Sequence, residues 1–184
     1  MKLFENIKVD DSTYDIENNH RRTAGISVSG ESGDGIDIVI IDALEARVVN
    51  VLSLKNKYTK DSVQIIKNYH LSWGVNIAWM ETFGFSSFFI DLLRYEGLPI
   101  RGFKMSNRGK DQLLEKLVIA SNYGKLTFMN HRPLINQLYS LEVTAKSASS
   151  GHYHYTYHSD HELVVATALA WYGASEGGVR IDFA

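Results

Sequence analysis

The acids and histidines of this chain fall at places where they could do chemistry, and cysteine is absent altogether. Glu81 follows Val75-Asn76-Ile77-Ala78-Trp79-Met80, a largely apolar run that reads as a buried strand. A carboxylate at the carboxyl end of such a strand sits where α/β sheets place their sites, although a solvated loop glutamate would look the same. Asp160 stands between His158 and His161 at the start of an apolar helix. There it either caps the helix by accepting its free N–H groups or, with a histidine as nitrogen ligand or proton donor, helps to hold a metal. A third group of acids, Glu31, Asp34 and Asp37, lies in and just after a glycine-containing loop between two apolar runs. That stretch reads either as a solvated hairpin turn or as one edge of a metal site. Without thiolates, disulfides and cysteine catalysis are excluded, and any metal must be held by oxygen or imidazole.

Cations gather in one stretch, Arg101-Gly102-Phe103-Lys104-Met105-Ser106-Asn107-Arg108-Gly109-Lys110, with no acid before Asp111. Arg101, Lys104, Arg108 and Lys110 form either a solvated face or a surface that meets phosphates. Lys55, Lys57 and Lys60 make a weaker group. The net charge of −2 gives no global reason to bind nucleic acid, so only a local patch would serve. The alternating His152 and His154 read as a solvent-facing row of a strand.

Positioning these residues is the work of an α/β chain. Ala24–Ser29, Ile36–Asp42 and Ala46–Leu54 are rich in β-branched residues and joined by short connections, which predicts an antiparallel meander. After Thr59 the pattern alternates: a helix with Val63, Ile66, Tyr69 and His70 on one face, the strand ending at Glu81, a helix to Tyr95, a strand near Leu98–Phe103, and a helix from Asn107 to Gly124. A short strand, a helix from Arg132, a His/Tyr-rich strand at 152–158 and an apolar helix from Leu163 complete the chain. A central mixed β-sheet flanked by helices is the expected architecture. Residues 1–22 are polar and read as a lead-in or linker, with one compact domain over 23–184. No apolar run approaches the roughly 20 residues that span a bilayer, and the first residues lack the apolar core of a signal peptide, so the expectation is a cytosolic protein without a membrane partner.

Three pieces of this chain resemble the nuclease domain of the large terminase subunit of tailed bacteriophages, an RNase H-like fold. They are Gly25-Ile26-Ser27-Val28-Ser29-Gly30-Glu31-Ser32-Gly33-Asp34, Ala78-Trp79-Met80-Glu81-Thr82-Phe83-Gly84, and His158-Ser159-Asp160-His161-Glu162-Leu163-Val164-Val165-Ala166-Thr167-Ala168-Leu169-Ala170. The resemblance covers about Thr23 to Tyr172. It implies a Mg²⁺- or Mn²⁺-dependent endodeoxyribonuclease that cuts concatemeric viral DNA by a two-metal mechanism, with acids from separate elements as ligands. Glu81 and Asp160 become metal ligands on this reading, with Asp34 and Glu162 as further candidates and His158 or His161 beside them. The implied partners are double-stranded DNA, the terminase ATPase domain, the small terminase subunit and the portal, in the cytoplasm of the infected bacterial host. No Gly-x-x-x-x-Gly-Lys-Ser/Thr loop is present, so the ATPase must lie on another domain or chain.

The chain departs from the family pattern at two places. In the closing motif the run of acids expected after the histidine reads Asp160-His161-Glu162, so that either Asp160 or Glu162 is the ligand there, and the opening strand departs more seriously. The family carries Gly-x-Asp in its opening strand, and here Gly25-Ile26 is followed by Ser27. A neutral hydroxyl is a poor Mg²⁺ ligand. Either Glu31, Asp34 or Asp37 substitutes, or metal is bound weakly, or the domain is a catalytically impaired DNA-binding or docking module. Another RNase H-like nuclease, such as a junction resolvase, is a further alternative.

Overall fold

β-Branched and aliphatic residues fill the strands that follow residue 21, and they pair as their spacing predicts. In the computed structural model, which describes residues 3–17, 19–28, 35–55, 60–82, 86–146, 153–156 and 161–176, β1 is Lys8–Asp10, β2 Arg22–Val28, β3 Gly35–Asp42 and β4 Arg47–Lys55. β2, β3 and β4 form the antiparallel meander, with Gly25 opposite Val39 and Val39 opposite Val51. Helices and strands then alternate: α1 (Lys60–Ser72), β5 (Val75–Thr82), α2 (Ser86–Tyr95), β6 (Ile100–Lys104), α3 (Asn107–Asn122), β7 (Thr127–Met129) and α4 (Arg132–Ser140). β8 (Glu142–Lys146) and β9 (Tyr153–Thr156) pair as a separate antiparallel hairpin, and α5 (Glu162–Glu176) closes the described chain.

The main sheet has seven strands in the order β1-β7-β4-β3-β2-β5-β6, with β5 parallel to both β2 and β6. This is the mixed sheet flanked by helices that the sequence predicts. Within residues 1–22, read as a lead-in, Lys8–Asp10 forms β1, which runs parallel to β7, and the apolar side chains of Leu3 and Phe4 are buried. The stretch is short and polar on average, so its two anchoring side chains carry no periodic signal.

Strand alternation divides the core into two layers. Ile26, Ile36, Ile38, Ile40 and Met80 pack with α1 and α2 through Val63, Ile66, Phe89, Ile90 and Leu93. Val39, Ile41 and Val48 pack on the other face with α3, α4 and α5. α5 is buried from Leu163 to Ala170 without a break, so it has no polar face to turn outward. Its alanines let it lie almost on the sheet. A Cβ at Gly25 would stand 1.9 Å from the Ala166 carbonyl oxygen and 2.5 Å from the Ala170 amide nitrogen. Thr23 Oγ1, one pleat away on the same face, donates to the Ala170 carbonyl at 2.8 Å.

Because backbone rather than a flexible side chain faces Gly25, a methyl there has nothing to displace. Gly25→Ala is expected to cost about 3 kcal/mol or more, at or beyond the upper end of ordinary overpacking, and to lower the melting temperature by roughly 6–12 °C. A fall of less than about 2 °C in a thermal melt would show that α5 can move off the sheet cheaply.

Candidate metal centre

The face of the sheet under α3, α4 and α5 is largely apolar, Thr23 apart, up to its last row, where it turns polar in four adjacent strands. Ser53 of β4 pairs with Asp37 of β3, and Asp37 pairs with Ser27 of β2. On the far side of β2, the register Gly25–Trp79 and Ile26–Met80 brings Ser27 level with Glu81 of β5. Residues opposed in this way share a face. Hydrogen bonds join the row. Ser27 Oγ donates to Glu81 Oε1 at 3.0 Å, the Val28 amide donates to the same oxygen at 3.2 Å, and the Ser53 hydroxyl donates to Asp37 Oδ1. Ser27 is buried, while Glu81 and Asp37 are half-buried.

Burial pushes the Asp37 carboxyl up, against the Ser53 hydrogen bond and the charge of His131. His131 is the N-cap of α4, where its Nδ1 accepts from the Leu134 amide at 3.3 Å, and burial lowers its pKa while Asp37 opposes that. An accepting Nδ1 puts the proton of the neutral ring on Nε2.

Helix starts bring charge to the same end of the sheet. Burial pulls the Lys110 ammonium down to about 8, while Glu81, Asp111 and Glu162 favour its charged form. Lys110, in the first turn of α3, thus feels the charges of Glu81 of β5 and of Glu162 at the first position of α5. Lys104, the last residue of β6, and Arg108 of α3 are exposed nearby in the chain. Arg101 is exposed on the same edge strand, with its guanidinium 5.7 Å from the centroid of the Trp79 ring.

Of the residues singled out in the sequence, Asp37 and Glu81 fall in the polar row on either side of Ser27, and Glu81 and Glu162 both act on Lys110 through their charges. His161 is buried and its Nε2 lies 2.8 Å from Ser140 Oγ, a contact that ties the start of α5 to the end of α4. Glu31, Asp34, His152, His158 and Asp160 lie outside the described residues. Ser53 and His131 were not anticipated. Ser53 had a signal, since aligning the three meander strands puts a polar residue at the same level in each; His131 had none.

The donor set is oxygen-rich and without sulfur: the carboxylates of Glu81, Asp37 and Glu162 with the hydroxyls of Ser27 and Ser53. That chemistry suits a hard divalent cation such as Mg²⁺ or Mn²⁺. No family model and no curated protein matches the chain by sequence. Solved structures do match. The large terminase nuclease of the thermophilic phage G20c superposes with a TM-score of 0.75 at 16% identity, covering 94% of this chain and 98% of that one. The nuclease domain of the large terminase of Thermus phage P74-26 gives a TM-score of 0.75 at 17% identity, with 100% of each chain covered. This chain has the terminase-nuclease fold. The large terminase nuclease domain of bacteriophage SPP1, solved with bound Mn, gives a TM-score of 0.67 at 15% identity, covering 94% of this chain and 98% of that one. The G20c nuclease has also been solved with bound magnesium, at a TM-score of 0.74, 15% identity, and coverage of 93% and 96%.

A second acid cluster lies at the opposite end of β3, where ligand atoms of His20, Asp42 and Glu45 come within 4.8 Å of one another. Its centre is already saturated. Asp42 Oδ1 accepts from the amides of Leu44 at 2.8 Å and Glu45 at 3.1 Å, and Oδ2 from the Tyr14 hydroxyl and from His20 Nδ1 at 2.6 Å. Arg22 Nε in turn donates to the Tyr14 hydroxyl at 2.9 Å. The cluster is a structural clasp that fastens residues 14–22 to the sheet.

Burial alone pushes the Asp42 carboxyl up, but its hydrogen bonds from Tyr14, the Glu45 amide, His20 and the Leu44 amide outweigh that, and its pKa is lowered. A lowered folded-state pKa contributes stability above the unfolded value of about 3.9, and this is lost as pH falls through the folded value. Asp42→Asn is expected to cost about 1–3 kcal/mol at pH 7 and to flatten the loss of stability on acidification below about pH 4. Urea melts of both proteins between pH 7 and pH 2.5 check this; parallel acid limbs would refute it.

Proposed function

We propose that this chain is the metal-dependent endonuclease domain of a phage DNA-packaging terminase, acting on double-stranded DNA. The observation that carries the reading is the Glu81 carboxylate, fixed through one oxygen by Ser27 and Val28 at the carboxyl end of β5, with its charge and that of Glu162 both acting on Lys110. Among the described residues no hydrogen bond falls on Glu81 Oε2. Anchoring one oxygen of a carboxylate orients the other for a ligand.

Glu81, Glu162 and Asp160 would hold Mg²⁺ or Mn²⁺, with Asp34, which lies between β2 and β3 in the sequence, as a further donor. When bound, a pair of such ions lowers the pKa of the attacking water and stabilises the departing 3′ oxygen. The chain's own residues do the rest. Ser27 and Val28 hold Glu81 in place, Lys110 places a positive charge at the same site, and Lys104 and Arg108, with Arg101 behind them, offer cations to the phosphates of the flanking duplex. His158 precedes Asp160 by two residues and is the histidine we assign to proton transfer, whereas His161 supports the α4–α5 junction through Ser140.

The domain would act beside a terminase ATPase domain, with the small terminase subunit and the portal as partners, in the host cytoplasm. Two facts are consistent with that setting. The chain covers 41% of a large terminase from another thermophilic bacteriophage, which leaves room for a motor domain in a protein of that kind. Among the described residues no helix is long and apolar enough to cross a membrane. A second reading rests on Ser27: a hydroxyl in the row where a carboxylate would bind a cation better favours a DNA-docking module with impaired chemistry.

Incubation with supercoiled plasmid and Mn²⁺ separates the two. The nuclease reading predicts linear products, and a loss of at least 100-fold in rate for Glu81→Gln, since about 3 kcal/mol or more of transition-state stabilisation rests on that ligand. No cleavage at any Mn²⁺ concentration would leave the docking module. Faster cutting of a branched duplex than of plasmid would instead identify a junction resolvase.

A further inference from the structure

The polar row contains a second carboxylate held in the same manner as Glu81. Asp37 receives the Ser53 hydroxyl on Oδ1, and among the described residues no hydrogen bond falls on Oδ2. Glu81 receives Ser27 and Val28 on Oε1 alone. Each acid is therefore anchored by a neighbour through one oxygen. They stand on the same face of the sheet with only β2 between them, and the residue of β2 at that level is Ser27.

Two strand spacings, about 10 Å, separate the backbones beneath the two acids. An aspartate arm, a glutamate arm and two metal–oxygen bonds of about 2.1 Å span that gap, because the serine between them is too short to fill it. Ser27 Oγ also spends its proton on Glu81, so its contribution to the row is orientation and not charge. Asp37 is the carboxylate that the strand register brings next to Ser27.

We infer that Asp37 is a ligand of the divalent cation, supplying from β3 the carboxylate that β2 lacks. The inference rests on the nuclease reading and names one of its ligands. Ser53 then fixes this carboxylate by its hydrogen bond.

Calorimetric titration with Mn²⁺ tests it without recourse to cleavage. Asp37→Asn should weaken Mn²⁺ binding at least tenfold, with the metal-free melting temperature unchanged or raised. Adding Ser27→Asp to that variant should recover most of the affinity, since it returns a carboxylate to the row one strand away. Binding by Asp37→Asn within about twofold of the wild type, while Glu81→Gln loses it, would overturn the inference and leave the nuclease reading intact. A wild-type protein that binds no Mn²⁺ would overturn both. Should Asp37→Asn fail to fold, a Mn²⁺ soak of wild-type crystals decides: an Asp37 oxygen about 2.1 Å from the metal supports the assignment, and a metal bound at Glu81 with Asp37 beyond roughly 4 Å refutes it.

Discussion

The close approach of α5 to β2 is the constraint on which the rest of the structure depends. Gly25 has no side chain, Ala166 and Ala170 have short ones, and the helix backbone lies against the strand with no room for a methyl group between them. Thr23 pins the contact further along the strand through the Ala170 carbonyl. Because α5 is buried from Leu163 to Ala170, its axis is fixed by packing on every side. Glu162, its first residue, directly precedes that buried run. An oxygen site assembled from a helix start and two strand ends needs that rigidity, since a displacement of an ångström at a ligand is costly.

The same face of the sheet shows how a polar site is kept inside a hydrophobic layer. Val39, Ile41, Val48 and the α5 side chains form the apolar layer, and the polar row begins only one pleat beyond Val39 and Val51. Carboxylates in such a place are penalised by desolvation unless they are hydrogen-bonded or paired with cations. Glu81 and Asp37 each receive a serine hydroxyl from the neighbouring strand, and Lys110 brings a cation on α3. At the other end of β3, Asp42 solves the same problem without a vacancy for a ligand: four donors fill its two oxygens. The contrast between an acid with every lone pair satisfied and acids anchored through one oxygen distinguishes the clasp from the candidate metal centre.

The mixed sheet, its meander and its alternating helices were legible because β-branched runs and 3.6-residue periodicity report burial directly. Glu81 was legible for the same reason, as an acid following an apolar strand. Less of the site could be read, because register is a tertiary property. Nothing local to Ile36-Asp37-Ile38 says that Asp37 will face Ser27, and Ser53 becomes meaningful only when β4 is aligned with β3. Lys110 is one cation among four in the sequence, and only the fold exposes it to the charges of Glu81 and Glu162. Phe4 and Tyr14 were invisible for a different reason: single anchors in a polar stretch carry no period. His161, a candidate metal neighbour in the sequence, is the residue before α5, buried with its Nε2 2.8 Å from Ser140 Oγ of α4.

The central claim is that the oxygen cluster around Glu81, and not the His20–Asp42–Glu45 clasp, is where the fold takes a divalent cation. A ligand that binds only the native state raises its stability, by about 2.7 kcal/mol at one hundred times its dissociation constant, or roughly 5–10 °C for a chain of this length. The measurement is the Mn²⁺-dependent shift in melting temperature of the wild type and of Glu81→Gln. The account predicts a saturable rise in the wild type that Glu81→Gln abolishes. An equal rise in both proteins would contradict it.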